Sequence, residues 1–172
     1  ADEIKGKGKA GNKSLIKIDE ELGAIFKSYK DGSLCRINPE ISMDIQRKLG
    51  ADLIVQMDEC TPHSAEREYT EKSMQMSHRW GDRSLTAFNQ THDGKQGLYG
   101  VVQGGVYRDL REESAEYTRS RPFFGTAIGG CLGGTKVHFY EILSWLPTRI
   151  HPSRPVHLLG IGKIEDIFEG VK

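Results

Sequence analysis

Residues 98–130 read LYGVVQGGVYRDLREESAEYTRSRPFFGTAIGG, and this stretch decides how the chain folds. Leu98 to Val102 is a short apolar run that stops at Gln103-Gly104-Gly105. Asp109 to about Arg119 follows with helical composition, Asp109 and Glu112 being spaced like a capping box. Phe123 to Ile128 is a second apolar run, stopped by Gly129-Gly130. Apolar run, glycine turn, helix and apolar run are the signals of a β-α-β unit. Such a unit makes two parallel strands through a right-handed crossover, so both strand C-termini reach one edge of the sheet.

The same rhythm extends in both directions. Upstream, Asp52 to Met57 is followed by a helix over Glu66 to Asn89, expected to be broken or loosened near Gly81. Downstream, a helix over Val137 to Leu146 leads to a fourth apolar run, Pro155 to Ile161. After it, Ile164, Ile167, Phe168 and Val171 match the i, i+3, i+4, i+7 pattern of an amphipathic helix. Ahead of the four units, Asn38 offers an N-cap with Pro39 at the first helical position and Gly50 as the stop. Residues 15–37 carry short strand and turn signals and read as a small β appendage. Residues 1–14, with Lys5, Lys7, Lys9 and Lys13 among Gly6, Gly8 and Gly11, read as a flexible segment. The expected fold is α/β, with about four β-α units in residues 38–172. Doubly wound sheets and (β/α)8 barrels both place ligands at the strand C-termini, so function is expected there in either case.

Composition narrows the class. The 172 residues suit one domain that buries about 70% of its unfolded surface. Lys plus Arg and Asp plus Glu both number 24, so no whole-chain field favours a nucleic acid or a membrane. The longest run without charge, Pro122 to Thr135, is 14 residues with five glycines, too short to span a bilayer. Cys35, Cys60 and Cys131 are odd in number and never spaced Cys-x-x-Cys. That argues for a reducing, cytoplasmic setting without a disulfide framework or a thiolate zinc site. His63, His78, His92, His138, His151 and His157 show no metal-ligand spacing, and no metal or cofactor is expected in this chain. The opening Ala1-Asp2-Glu3, without methionine or a leader, reads as a piece of something longer.

The four expected strand ends carry Asp58-Glu59-Cys60, Gln103-Gly104-Gly105, Gly129-Gly130 and Gly160-Ile161-Gly162. Glycine at a strand end lets a ligand meet bare backbone. A carboxylate, an amide and exposed N–H groups suit a flat ligand rich in donors and acceptors, such as a guanine-like base. Each element has a plainer alternative. The glycine pairs could be tight turns, Asp58-Glu59 a helix cap, and Cys60 a small buried hydrophobe. Gln103 has the stronger case, because an amide inside an apolar run needs partners. Tyr69, Met76, Trp80 and Phe88 fall roughly on one helical face, which core packing explains.

Together the motifs become specific. Asp-Glu-Cys-Thr-Pro at 58–62, Ser77-His78-Arg79-Trp80 with Arg83, Val-Gln-Gly-Gly at 102–105 with Tyr107, Asp109-Leu110-Arg111 and Ser114, Ala-Ile-Gly-Gly at 127–130, and Gly-Ile-Gly-Lys-Ile-Glu-Asp at 160–166 are all present. Their order and spacing resemble the tRNA-guanine transglycosylases, also called queuine tRNA-ribosyltransferases, from about residue 15 to the end.

The resemblance implies part of a (β/α)8 TIM barrel whose family exchanges guanine for a 7-deazaguanine, queuine or its precursor, at the tRNA anticodon wobble position. It assigns base contacts to Asp58, Gln103, Gly129 and Gly130, a pocket wall to Cys60 and an apolar support to Leu159. It assigns tRNA contacts to Gly160, Ile161, Gly162, Lys163, Ile164, Glu165 and Asp166. The implied partners are the tRNA anticodon loop, the base, and a second subunit in a homo- or heterodimer. The family's acid/base carboxylate would precede residue 1, and its nucleophile and zinc ligands would follow residue 172. On that footing the 172 residues alone are expected to be inactive. Two other readings compete: a non-catalytic homologue or partner subunit, and an unrelated barrel enzyme acting on a phosphorylated metabolite. Cys131, Leu132, Gly133, Thr135 and Ile164 depart from common family residues and bear on which base enters.

Overall fold

The computed structural model describes residues 15–130 and 135–171. The expectations for residues 1–14 and for Cys131, Leu132 and Gly133 lie outside the described residues. The appendage is an antiparallel three-stranded sheet of β1 (Ile16–Asp19), β2 (Gly23–Lys27) and β3 (Leu34–Ile37). Helix α1 (Pro39–Leu49) begins as the sequence indicates, with the Asn38 side chain accepting from the Ile41 N–H at 2.8 Å, and it stops at Gly50 in the left-handed region.

The remaining elements are β4 (Leu53–Val55), α2 (Arg67–Thr91), β5 (Gly97–Val102), α3 (Arg108–Ser120), β6 (Gly125–Ile128), α4 (Lys136–Trp145), β7 (Val156–Leu158) and α5 (Ile164–Val171). The second sheet runs β4-β5-β6-β7, with every neighbouring pair parallel. Spatial order equals chain order. A doubly wound sheet would reverse direction at a switch point, whereas unreversed winding is that of a (β/α)8 barrel segment.

Both faces of the central strands β5 and β6 are buried, and β5 shows the division. Leu98 packs with Met43, Ile54, Leu85, Tyr117 and Phe123, and Val102 with Ala115, Ile128, Phe139 and Leu146, all on the helix side. Tyr99 and Val101 face the other way, onto Ala127, Val55 and Leu159. The period of two therefore carries Gln103 onto the inner face, at the C-terminal edge.

Three local expectations are corrected. Helix α2 runs unbroken for 25 residues through Gly81. The glycine is there for space: a Cβ would lie 2.4 Å from Tyr117 Oη and 2.7 Å from Gln56 Oε1. The Asp109/Glu112 capping box does not form, because the chain is already helical at Arg108, and Glu112 pairs instead with Arg108 and Arg149. Of the four aromatic and sulfur residues assigned to core packing, Trp80 is fully buried, whereas Tyr69 is exposed. The buried face of α2 is largely hydroxyl-bearing or small: Thr70, Ser73, Ser77, Gly81 and Ser84, alongside Met74, Trp80 and Leu85.

That same helix holds the appendage. Trp80 Nε1 donates to the Glu20 carbonyl at 2.7 Å, Arg83 donates to the Glu20 and Glu21 carbonyls, and Arg79 pairs with the Glu20 carboxylate. The Arg79-Trp80 pair and Arg83 thus clamp the β1–β2 turn onto α2.

Candidate base-binding site at the strand C-termini

The chain leaving β4 is positioned by hydrogen bonds from its neighbours. Gln56 is a buried amide that donates to the Ser77 carbonyl at 3.0 Å and accepts from the Val101 N–H at 3.2 Å. Ser84 Oγ accepts from the Met57 N–H at 3.3 Å, and Ser77 Oγ accepts from the Glu59 N–H at 2.9 Å. The two carboxylates then part company. Glu59 takes a hydrogen bond from Tyr69 Oη at 2.5 Å, which raises the phenol pKa to about 12. Asp58 instead accepts from Gln103 Nε2. Neither carboxylate caps α2, whose N-cap residue is Glu66. Cys60, next along, is exposed rather than buried.

The Asp58 carboxyl is pushed up to about 6. Burial is the largest cause, the Glu59 charge adds to it, and the Gln103 hydrogen bond opposes it. Gln103 is itself buried, and its Oε1 has no hydrogen-bond partner among the described residues.

The Gly129-Gly130 turn closes against this amide. A Cβ on Gly130 would lie 2.6 Å from Gln103 Oε1, and one on Gly129 would lie 2.7 Å from Val101 and 3.2 Å from Leu159. Gly130 also has φ +71°, so bare backbone is required there on two counts. Asp58, Gln103, Gly129, Gly130 and Leu159 therefore come together as one cluster.

Beneath the cluster lies a support that single motifs did not reveal. Ser114 Oγ accepts from the Gln103 N–H at 2.9 Å and lies 2.9 Å from His78 Nε2. His78 is stacked on Tyr117 at 4.1 Å, and burial, followed by the Arg121 charge, lowers its pKa to about 4. Arg111, fully buried, donates to the Gly105 and Gly129 carbonyls. One signal was available in the sequence: Arg111, Ser114, Ala115 and Thr118 fall at i, i+3, i+4 and i+7 on one helical face, and all four are buried.

The segment assigned to tRNA divides. Gly160, Gly162, Lys163, Ile164 and Glu165 are exposed and Ile161 is half-buried. Asp166 is buried, accepting from Lys136 Nζ and Tyr140 Oη, each at 2.8 Å, and the Lys136 partnership holds its carboxyl below the usual range. Among the described residues no three His, Cys, Asp or Glu side chains converge as metal ligands would. No helix among them is long and apolar enough to cross a membrane.

Comparison with known proteins identifies the family. The family model for queuine tRNA-ribosyltransferase matches residues 9–172. A putative queuine tRNA-ribosyltransferase of Archaeoglobus fulgidus is 47% identical over 153 residues, covering 89% of this chain and 37% of the relative. The queuine tRNA-ribosyltransferase of Acinetobacter baumannii is 43% identical over 160 residues, covering 92% and 42%. That of Roseiflexus sp. is 40% identical over 182 residues, covering 99% and 45%. The chain thus spans less than half the length of these curated relatives. With nearly all of its residues matched, and with the motif residues gathered at one edge of a barrel-type sheet, the chain belongs to the queuine tRNA-ribosyltransferase family.

Proposed function

We propose that this segment reads the base in a tRNA-guanine transglycosylase, an enzyme that replaces guanine at the anticodon wobble position with a 7-deazaguanine. One observation carries the reading: Gln103 Nε2 sits against Asp58, so a donor and an acceptor lie side by side at the strand ends. Guanine presents the complement, a carbonyl beside its N1–H and exocyclic amine. On arrival the base takes over both groups. Asp58 accepts from N1–H and the amine, while Gln103 and the Gly130 N–H donate to the carbonyl.

The reaction is double displacement at the ribose anomeric carbon. A carboxylate forms a bond to that carbon as the bond to guanine breaks, and the incoming base then displaces the carboxylate. The family resemblance assigns the attacking carboxylate, the acid/base group and the zinc ligands to positions outside these 172 residues. By themselves, then, the 172 residues bind base without turnover. The largely exposed Gly160 to Glu165 stretch, Ile161 apart, meets the anticodon loop, where a base leaves its stack at low cost. A cytoplasmic setting, queuosine biosynthesis and a homo- or heterodimeric assembly belong to the same proposal.

Calorimetric titration of the natural polypeptide carrying these residues with guanine, hypoxanthine and adenine tests it. Guanine should bind best, hypoxanthine about tenfold or more weakly for want of the amine, and adenine not measurably. Equal affinity for guanine and adenine would refute base reading by Asp58 and Gln103.

A further inference from the structure

We infer that Arg111 is a positioning residue that aims the Gly130 N–H into the base site, an inference that rests on the base-reading proposal above. Arg111 lies on α3, outside the cluster, and its side chain is fully buried. Its Nε donates to the Gly105 carbonyl at 2.5 Å, while Nη1 and Nη2 both reach the Gly129 carbonyl at 3.2 Å. One guanidinium therefore ties the turn after β5 to the turn after β6.

The peptide joining Gly129 to Gly130 is trans, as are all the peptides described. In a trans peptide the C=O and the following N–H point in opposite directions. Drawing the Gly129 carbonyl down onto Arg111 therefore turns the Gly130 N–H away from α3 and toward the cleft. The Gln103 amide is beside it: Oε1 lies 2.6 Å from where a Gly130 Cβ would stand, and Nε2, which donates to Asp58, is the donor that the base carbonyl would share with the Gly130 N–H. The packing leaves little freedom for another arrangement. Gly104, at φ +117°, lies so close to α3 that a Cβ would come within 2.7 Å of the Arg111 backbone nitrogen. Ser114, one turn along the same helix, fixes the Gln103 N–H. A planar fork can hold two carbonyls at fixed directions, whereas a lysine ammonium, a point charge on a flexible stem, cannot set both.

The experiment compares guanine with 6-thioguanine, which keeps the N1–H and the exocyclic amine but has a weakly accepting thione in place of the carbonyl, in the natural polypeptide and in its R111K and R111M forms. Guanine affinity should fall by about tenfold or more in both variants, the loss of a well-directed hydrogen bond, while 6-thioguanine affinity changes less than about threefold. Equal losses for the two bases would mean general damage to the site and would overturn the inference, as would no loss at all. Amide exchange of Gly130 in the wild type decides the matter even if neither variant folds. That N–H should exchange freely without base and slow by about tenfold or more with guanine, and by clearly less with 6-thioguanine at equal occupancy. A Gly130 amide already protected without base, or indifferent to guanine, overturns the inference. A wild type that binds neither base defeats the base-reading proposal and this inference with it, whereas guanine binding that ignores Arg111 defeats this inference alone.

Discussion

Replacing Asp58 with asparagine separates base recognition from folding. In the proposed reading the carboxylate accepts two charge-assisted hydrogen bonds from guanine, each worth about 1.5 to 3 kcal/mol, and asparagine would turn one acceptor into a donor facing a donor. Guanine affinity at pH 8 should fall by about a hundredfold or more. Stability should move the other way. The Asp58 pKa is about 6 in the folded protein against 3.8 as the ordinary value, so folding favours its protonated form. Its contribution is fully present below about pH 4 and is lost as pH rises through about 6. The two-unit difference amounts to about 3 kcal/mol at most, and solvent at a half-buried group leaves about 1 to 2 kcal/mol. D58N should therefore melt higher than the wild type at pH 8 by a few degrees, and the gap should close near pH 4. Guanine affinity of the wild type should also drop about tenfold per unit below pH 6, as the ionised form becomes scarce. The assays are calorimetric titration with guanine beside thermal melts of both proteins from pH 4 to 8. A D58N protein that melts lower at pH 8 while its folded fraction binds guanine normally would show that Asp58 supports the fold and does not read the base.

Other substitutions probe the support beneath the site. His78, held down to about 4, should stay neutral in an NMR titration until well below pH 6. Because its ordinary value is 6.5, it draws stability out of the fold as pH falls from 6.5 to 4, opposite in sign to Asp58, so D58N should lose stability on acidification more steeply than the wild type. Ser77→Ala leaves the Glu59 N–H without its acceptor and should lower stability by about 1 to 3 kcal/mol in denaturant melts. Gly130→Ala puts a methyl 2.6 Å from Gln103 Oε1 at φ +71°, and should abolish guanine binding while circular dichroism still reports a folded protein. Among the described residues β4 and β7 are the outermost strands of their sheet and Leu53, Val156, Ile164 and Phe168 are exposed, so light scattering should find the 172-residue protein self-associated.

The parallel units were legible because each strand is a short apolar run closed by glycine or a polar residue, and because Asn38, Pro39 and Gly50 spell out a helix start and stop. Choosing between a doubly wound sheet and a barrel was not open to periodicity, which records where strands fall but not how they are ordered in space. The family resemblance supplied the barrel, and the β4-β5-β6-β7 order agrees. Gln103 stood out as an amide in an apolar run, and Gln56 carries the same signal inside Leu53 to Met57 but acts as a strut between β5 and α2. Gly81 suggested a weak helix because its propensity is local, whereas the reason for it, Tyr117 and Gln56 pressing on the backbone, is tertiary. Asp58 and Glu59 are adjacent and chemically alike, and only packing sends one to Gln103 and the other to Tyr69.

Incorporation of labelled guanine into tRNA tests the central claim most directly, with the natural polypeptide carrying these residues, its D58N variant and the 172-residue protein assayed side by side. The account predicts that label enters tRNA with the natural polypeptide, falls by about a hundredfold or more at subsaturating guanine with D58N, and stays at background with the 172 residues alone. Undiminished incorporation by a folded D58N protein, or incorporation by the 172 residues free of any other enzyme, would contradict it.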